Sequence, residues 1–413
     1  MDEKVLVIKR KVSPARGASL SRELRLRLDA KATEVPPFAN GWYQLLRSSQ
    51  VKRGAVRYVT ALGLELAVWR TESGVLCVSS ASCPHLGSNL ATNGKVVADL
   101  LVCPFHGWRF DSQGHCRHIP SRAASRDGRE ISLCPPGSLP PSTHLHRFLS
   151  IERFGLIFFR YEGGGAPSEE DDWTVRSVAG VKGYRLRAMA THGVQTHFLI
   201  GLGFRPLEGA ASIGLGFGLD PMPHPTPRST SRIVALLLDA VFKFREGFVG
   251  SVENGKELVA QCGLCINLFG WMLPLGIQGS LRHAGPGLSL LHLQPSGWLY
   301  KLLRPVLGTR RPREEAGMLL LQTRLPLGVW SQKVCHFAFA GKAVPDWLCK
   351  ALFARWMSQL EATMERMERS DAAGDAEALD PLRRWLEENH FDASTATFAE
   401  AWENERRAGR LEW

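Results

Sequence analysis

The alternation of apolar and polar residues divides the chain into stretches of different character. Residues 1–36 are densely charged and end at Pro36–Pro37; within them Arg22 to Leu28 has room for two helical turns. From Gly41 the text turns strand-like in WYQLL, AVRYVTALGLELAVWR and GVLCVSS, with Gly, Ser and Asn turns between the runs, as in a small antiparallel barrel or sandwich. Val96–Val102 is a further apolar strand. A loop rich in Arg, Ser and Pro fills 120–143, and HLHRFLSIERFGLIFFRYEG supplies two closing strands. The polar, Gly-rich GGGAPSEEDDW at 163–173 marks a domain boundary.

After that boundary comes VKGYRLRAMATHGVQTHFLIG. Residues 218–255 read as an insertion, Pro-rich at first and then helical in IVALLLDAVFKFREG. Strand patterns resume at 284–296, 317–325 and 332–340, where MLLLQTRLPLG and KVCHFAFAG form a hairpin of a large antiparallel sheet. From Pro345 the spacing changes to that of a helix, with Leu348, Leu352, Trp356, Leu360, Met364 and Met367 as its core-facing stripe. The C-terminal stretch is mostly surface helix. The pattern gives an α+β chain: a leader at 1–36, a small all-β domain at 37–165, and a larger antiparallel sheet with flanking helices at 166–413.

Composition narrows this. The 413 residues suffice for two or three domains with real cores, and 44% hydrophobic with 22% charged residues is ordinary for a globular protein. Leu258 to Ile277 is long enough to span a bilayer, but Gln261, Asn267, Pro274 and three glycines favour buried strands and a loop. The nine cysteines are odd in number and scattered, which indicates a reducing compartment and a cytoplasmic chain, with organelle or membrane association left open. The first residues carry Asp2 and Glu3 and no apolar core, unlike a secretory signal. The net charge of +11 is uneven: residues 361–413 hold 14 acidic and 7 basic side chains, so the body is strongly basic. A basic body suits an acidic electron donor or an anionic membrane surface. No nucleic-acid-binding motif accompanies it.

The chemistry concentrates in CPHLGSNLATNGKVVADLLVCPFHGW, residues 83–108. Cys83 and His85 form one pair; Cys103 and His106 form a second. Two thiolates and two imidazoles at this spacing suit a [2Fe–2S] cluster with both Cys on one iron and both His on the other. A Cys₂His₂ zinc site is the competing reading, but zinc fingers usually run CxxC then HxxxH. Pro84 with Gly87 and Pro104 with Gly107 shape loops whose amides can turn toward bridging sulfides.

With PFANGWYQLL at 37–46 and VCPFHGWRFDSQGHCRHIP at 102–120, this stretch resembles the Rieske domain of ring-hydroxylating oxygenases. It is most similar to the branch holding steroid 9α-hydroxylases and cholesterol 7-desaturases. The resemblance is strong over 37–165 and thinner beyond. It implies a helix-grip catalytic domain after the Rieske domain, a mononuclear iron(II), a flavin- or ferredoxin-type reductase as electron donor, O₂, an apolar sterol-like or aromatic substrate and a homotrimer.

In that family two His separated by four residues bind the iron, an acid precedes the first by three, and a late Asp completes the set. His192 and His197 have this spacing and would lie one helical turn apart, but Met189 then stands where the acid is expected. A second alignment makes His197 the first His, puts Gln195 in the bridging position and Leu202 in place of the second His. On the late helix Thr363 stands at the Asp position, with Glu361, Glu365 and Asp371 nearby. Two functions therefore compete: an oxygenase or desaturase, and an electron carrier or degenerate oxygenase that keeps the cluster alone. A cluster-dependent scaffold is a third. Cys262 and Cys265 form CxxC in apolar surroundings and read as packing residues.

Overall fold

A computed structural model describes residues 6–9, 38–120, 134–135, 138–162, 183–194, 205–207, 210–212, 243–253, 257–268, 271–295, 301, 316–328, 331–354 and 357. The leader apart from 6–9, the 163–173 boundary, Gln195, His197, Leu202, Glu361, Thr363, Glu365 and Asp371 lie outside them.

Three small sheets build the first domain. β3 (Val56–Ala61), β4 (Leu64–Arg70) and β5 (Leu76–Ser80) form an antiparallel meander that continues to β10 (Arg147–Phe148). β11 (Ser150–Arg153) and β12 (Leu156–Tyr161) join β2 (Gly41–Arg47). β6 (Lys95–Val97), β7 (Leu100–Val102), β8 (Arg109–Phe110) and β9 (Cys116–His118) make the third. These are separate sheets rather than one closed barrel. The apolar stretch 96–102 is not one strand either. It breaks into the β6–β7 hairpin, Val96 opposite Leu101, with Ala98 at the turn in left-handed conformation (φ +53°).

The first two sheets enclose Tyr43, Leu45, Leu66, Val68, Val78, Ile157 and Phe159, all fully buried. Alternating apolar residues put one face of each strand inward, and burying such side chains stabilises by about 1.5–3 kcal/mol each.

The second domain is one eight-stranded sheet. Its order is β1 (Leu6–Lys9), β13 (Arg185–Val194), β21 (Ser331–Ala340), β20 (Met318–Gly328), β19 (Leu288–Pro295), β18 (Trp271–His283), β17 (Glu257–Leu268), β16 (Lys243–Glu253). All pairs are antiparallel except β1–β13. The β20–β21 hairpin matches the sequence pattern, and Leu258–Ile277 falls on β17 and β18. Lys243–Gly247, expected at the end of a helix, instead lies on β16, paired with β17. Tertiary pairing overrides local propensity there. A short hairpin, β14 (Arg205–Leu207) with β15 (Ala210–Ser212), stands apart.

The two faces of this sheet have different partners. One carries Met189, Leu288, Leu290, Leu319, Leu321, Cys335, Phe337 and Phe339 against Trp42, Leu156 and Phe158 of the first domain. Thr323 Oγ1 donates to Gln44 Oε1 across the seam at 3.1 Å, and the Leu62 amide donates to the Pro326 carbonyl at 2.9 Å. A Cβ on Gly287 would come within 2.6 Å of the Tyr43 ring, so glycine permits this close approach.

The opposite face meets a helix, α1, at 346–354. Its buried side chains are Cys349, Phe353 and Met357, packed on Ala188, Ala190, Leu320, Ala338 and Ala340. The buried face is one residue out of phase with the expected stripe: Leu352 is exposed and Leu348 only half-buried. The four alanines hollow the sheet where the Phe353 ring enters, and that fit sets the helix rotation. Arg187 on β13 and Asp346 on α1 pair at 3.7 Å, tying helix to sheet. Among the described residues no helix is long and apolar enough to cross a membrane, and Cys77, Cys83, Cys103, Cys116, Cys134, Cys335 and Cys349 are free.

Candidate metal centre

Two loops of the first domain are near-copies of one another. In the first, the Cys83 amide donates to the Ser88 carbonyl at 2.9 Å and the Gly87 amide to the Cys83 carbonyl at 2.8 Å. In the second, the Cys103 amide donates to the Trp108 carbonyl at 2.8 Å and the Gly107 amide to the Cys103 carbonyl at 3.1 Å. Each loop begins Cys-Pro and has glycine four residues after the Cys. Proline fixes the first turn at φ near −65°; the glycine reverses the chain in the left-handed region, at +71° for Gly87 and +68° for Gly107. The β7–β8 pair Val102–Arg109 closes the second loop, and an isolated bridge between Ser82 and Asn89 closes the first.

The four candidate ligands meet where the loops face each other. His85 Nδ1 lies 3.1 Å from His106 Nδ1. Two nitrogens bound to one tetrahedral ion at about 2.1 Å would stand about 3.4 Å apart, so both imidazoles can ligate a single iron with little movement. Cys83 and Cys103 are both buried, in the same apolar cluster. Burial pushes the Cys83 thiol up to about 11. The neutral thiol is therefore favoured until a metal displaces its proton.

Among the described residues no three His, Cys, Asp or Glu side chains gather around one point. The donors form a buried thiol pair and an exposed imidazole pair rather than one tetrahedron. That arrangement fits two irons with two protein ligands each, the inner on sulfur and the outer on nitrogen.

The surroundings hold the pairs in place. The thiols sit in a core of Trp69, Leu90, Leu101, Phe110 and Ile119. Trp108 stacks on His85, ring centroids 4.7 Å apart and planes 10° from parallel. Leu86 and Phe105, each 67% exposed, flank the imidazoles and form an apolar rim at the surface. The role of Trp108 was not drawn from the sequence, although HGW carried the signal.

The expectations for a second iron fare differently. His192 lies on strand β13, paired with Val334, and not on a helix. Residues three apart on a strand point to opposite faces, so Met189 looks toward the first domain and His192 toward the α1 side. The ring beside His192 is His336 of β21, 5.4 Å between centroids. Sequence spacing does not bring these two together; strand pairing does. His118 is buried on β9.

A Rieske [2Fe–2S] domain model matches residues 41–135. The cholesterol 7-desaturase of Xenopus laevis is 39% identical over 165 residues, 40% of this chain and 32% of that protein. A cholesterol 7-desaturase of Ciona intestinalis is 24% identical over 356 residues, 83% of this chain and 70% of the relative. The chain thus spans about a third of the frog relative it matches. The crystal structure of dicamba monooxygenase bound to dicamba superposes with a TM-score of 0.52 at 18% identity, covering 84% of this chain and 96% of that one. With its paired Cys-Pro loops and two-and-two donor set, residues 41–135 form a Rieske [2Fe–2S] domain, and with the eight-stranded second sheet the chain has the fold of the Rieske oxygenases.

Proposed function

We propose that the chain is a Rieske oxygenase or desaturase that oxidises an apolar small molecule with O₂ and electrons from a flavin- or ferredoxin-type reductase. The observation that carries this reading is the joining of the two-loop cluster site to a full eight-stranded second domain, which an electron carrier would not need. The sterol desaturases among its relatives make a sterol-like substrate the first class to test, ahead of aromatic ones. Boundaries at 37–165 and 166–413 are part of the proposal.

Cys83, His85, Cys103 and His106 would hold the cluster, which when bound takes up and releases one electron at a time. The chain's own contribution is positional. Trp108 fixes the plane of His85, the apolar core keeps water from the thiols, and the exposed imidazole edges between Leu86 and Phe105 face an incoming partner. His192 and His197 are the proposed ligands of an iron(II) that would supply the O₂ site, with Gln195 as the bridging residue. A homotrimer and contact with an anionic membrane surface complete the proposal.

A second reading, an electron carrier or degenerate oxygenase, is favoured by the strand position of His192, which departs from the helical pair that chelation calls for. Iron analysis after anaerobic iron(II) loading separates the two: three irons per chain with reductase-dependent O₂ uptake for the oxygenase, two irons and no uptake for the carrier.

A further inference from the structure

The α1-covered face of the large sheet changes character along its strands. Beside the helix the cross-strand row is Ala188, Ala338 and Leu320. The next row is Ala190, His336 and Gln322; the next, His192, Val334 and Arg324; beyond it lies Gln332 opposite Val194. Directly opposite residues share a face, and so do residues two apart on one strand. Five polar side chains thus form a patch next to an alanine-lined floor. All are at least nine-tenths buried, with Arg324 only 2% exposed.

Arg324 is the anomaly in this patch. Among the described residues its Nε and Nη1 have no hydrogen-bond partner, and no carboxylate pairs with it. Arg187, also buried, has Asp346. Taking a guanidinium out of water is costly unless an anion and hydrogen bonds compensate. Burial lowers Arg324 to about 9, which still leaves it a cation at neutral pH. The patch therefore presents the Arg324 guanidinium beside the Gln322 and Gln332 amides and the His192 and His336 imidazoles, all of which can hydrogen-bond.

We propose that Arg324, flanked by Gln322 and His336, is the oxyanion-recognising end of a substrate site in the second domain, so that the preferred substrate carries a carboxylate or sulfate on an apolar body. The planar fork of the guanidinium matches two oxygens at once, and the apolar body is that of the substrate class proposed above. This rests on the reading that the second domain holds the substrate.

Anaerobic calorimetry on the full-length, cluster-loaded protein tests it with matched pairs: 5β-cholan-24-oate against 5β-cholan-24-ol, 4-tert-butylbenzoate against 4-tert-butylbenzyl alcohol, and epiandrosterone sulfate against epiandrosterone. At least one anion should bind about ten- to hundred-fold more tightly than its neutral partner, as a charge-assisted contact implies. The steroid and benzoate arms separate body shape, and the sulfate arm separates the oxyanion. Arg324→Met should bring the ratio to about one, and Arg324→Lys should retain part of it. A wild-type ratio near one in all three pairs, including no binding at all, overturns the proposal, and so does a ratio that survives Arg324→Met. If the Met variant does not fold, Arg324→Gln and Arg324→Lys carry the comparison. The assay uses neither O₂ turnover nor electrons. Absence of oxygenase activity would sink the function proposed above and leave the binding ratio to be judged by itself.

Discussion

His85 and His106 face each other Nδ1 to Nδ1 across 3.1 Å, at the surface end of a site whose other end is the buried Cys83–Cys103 pair. Each side chain is one of the four donors that the two-and-two arrangement requires. Replacing any one by Ala should abolish the low-temperature EPR signal of the reduced cluster. Iron content should fall with it. Retention of the signal in all four variants would remove this assignment.

Trp108 lies flat against His85 and packs toward Phe110, so it restrains the imidazole without binding metal. Trp108→Ala should leave four donors but a looser outer pair. The visible absorbance of the cluster should then decay several-fold faster in the presence of a chelator, an effect on the scale seen when groups supporting a metal ligand are removed. Trp108→Phe keeps a stacking face and should decay nearly as slowly as wild type. Equal lifetimes for all three proteins would show that the stack does not restrain the ligand.

Gly87 and Gly107 occupy the same place in the two loops, but their neighbours differ. A Cβ on Gly107 would meet Pro120 Cγ at 3.3 Å, whereas one on Gly87 would meet only Ser82 Oγ at 3.7 Å. Both alanine variants bear the left-handed backbone cost, about 1 kcal/mol or more. Gly107→Ala adds a contact with a rigid ring. Its thermal midpoint should therefore drop further than that of Gly87→Ala, measured by circular dichroism on the loaded protein. The reverse order would contradict the loop geometry.

The cluster loops were legible in the sequence because every ligand and both glycines lie within 26 residues, so local spacing carried the geometry. The β20–β21 hairpin was legible from its apolar run. The second domain's polar patch was not. His192, Arg324 and His336 come from three strands, and only the pairing of β13, β21 and β20 makes them neighbours. A hint existed in the period-two placement of Gln322 and Arg324 within MLLLQTRLPLG. The helical reading of His192 was misleading because ATHGV has no strong preference and the edge of β21 captures it as a strand. The one-residue phase error on α1 has a related origin: the alanine hollow that receives Phe353 is written on β13 and β21, far from the helix in sequence.

The last prediction concerns two thiols away from the metal loops. Cys77 on β5 and Cys349 on α1 are both buried, and burial is the leading cause that pushes each thiol up to about 12 from an ordinary value of 9.0. Below about pH 9 each thiol is neutral in both the folded and the unfolded chain, and its contribution to stability is fully present. Between pH 9 and 12 the unfolded chain releases the proton while the folded chain keeps it. The unfolded state then binds fewer protons, so stability falls as pH rises, by up to about 1.4 kcal/mol per pH unit for each thiol. Lys and Tyr also titrate in this range, which is why the comparison must be differential. Urea midpoints of wild type and Cys77→Ala/Cys349→Ala should be read from pH 7 to 10.5. The double variant should start lower, because two buried sulfurs are lost, and should then decline less steeply, so that the two curves converge as pH rises. Parallel curves would mean that both thiols ionise in the folded chain as easily as in the unfolded one.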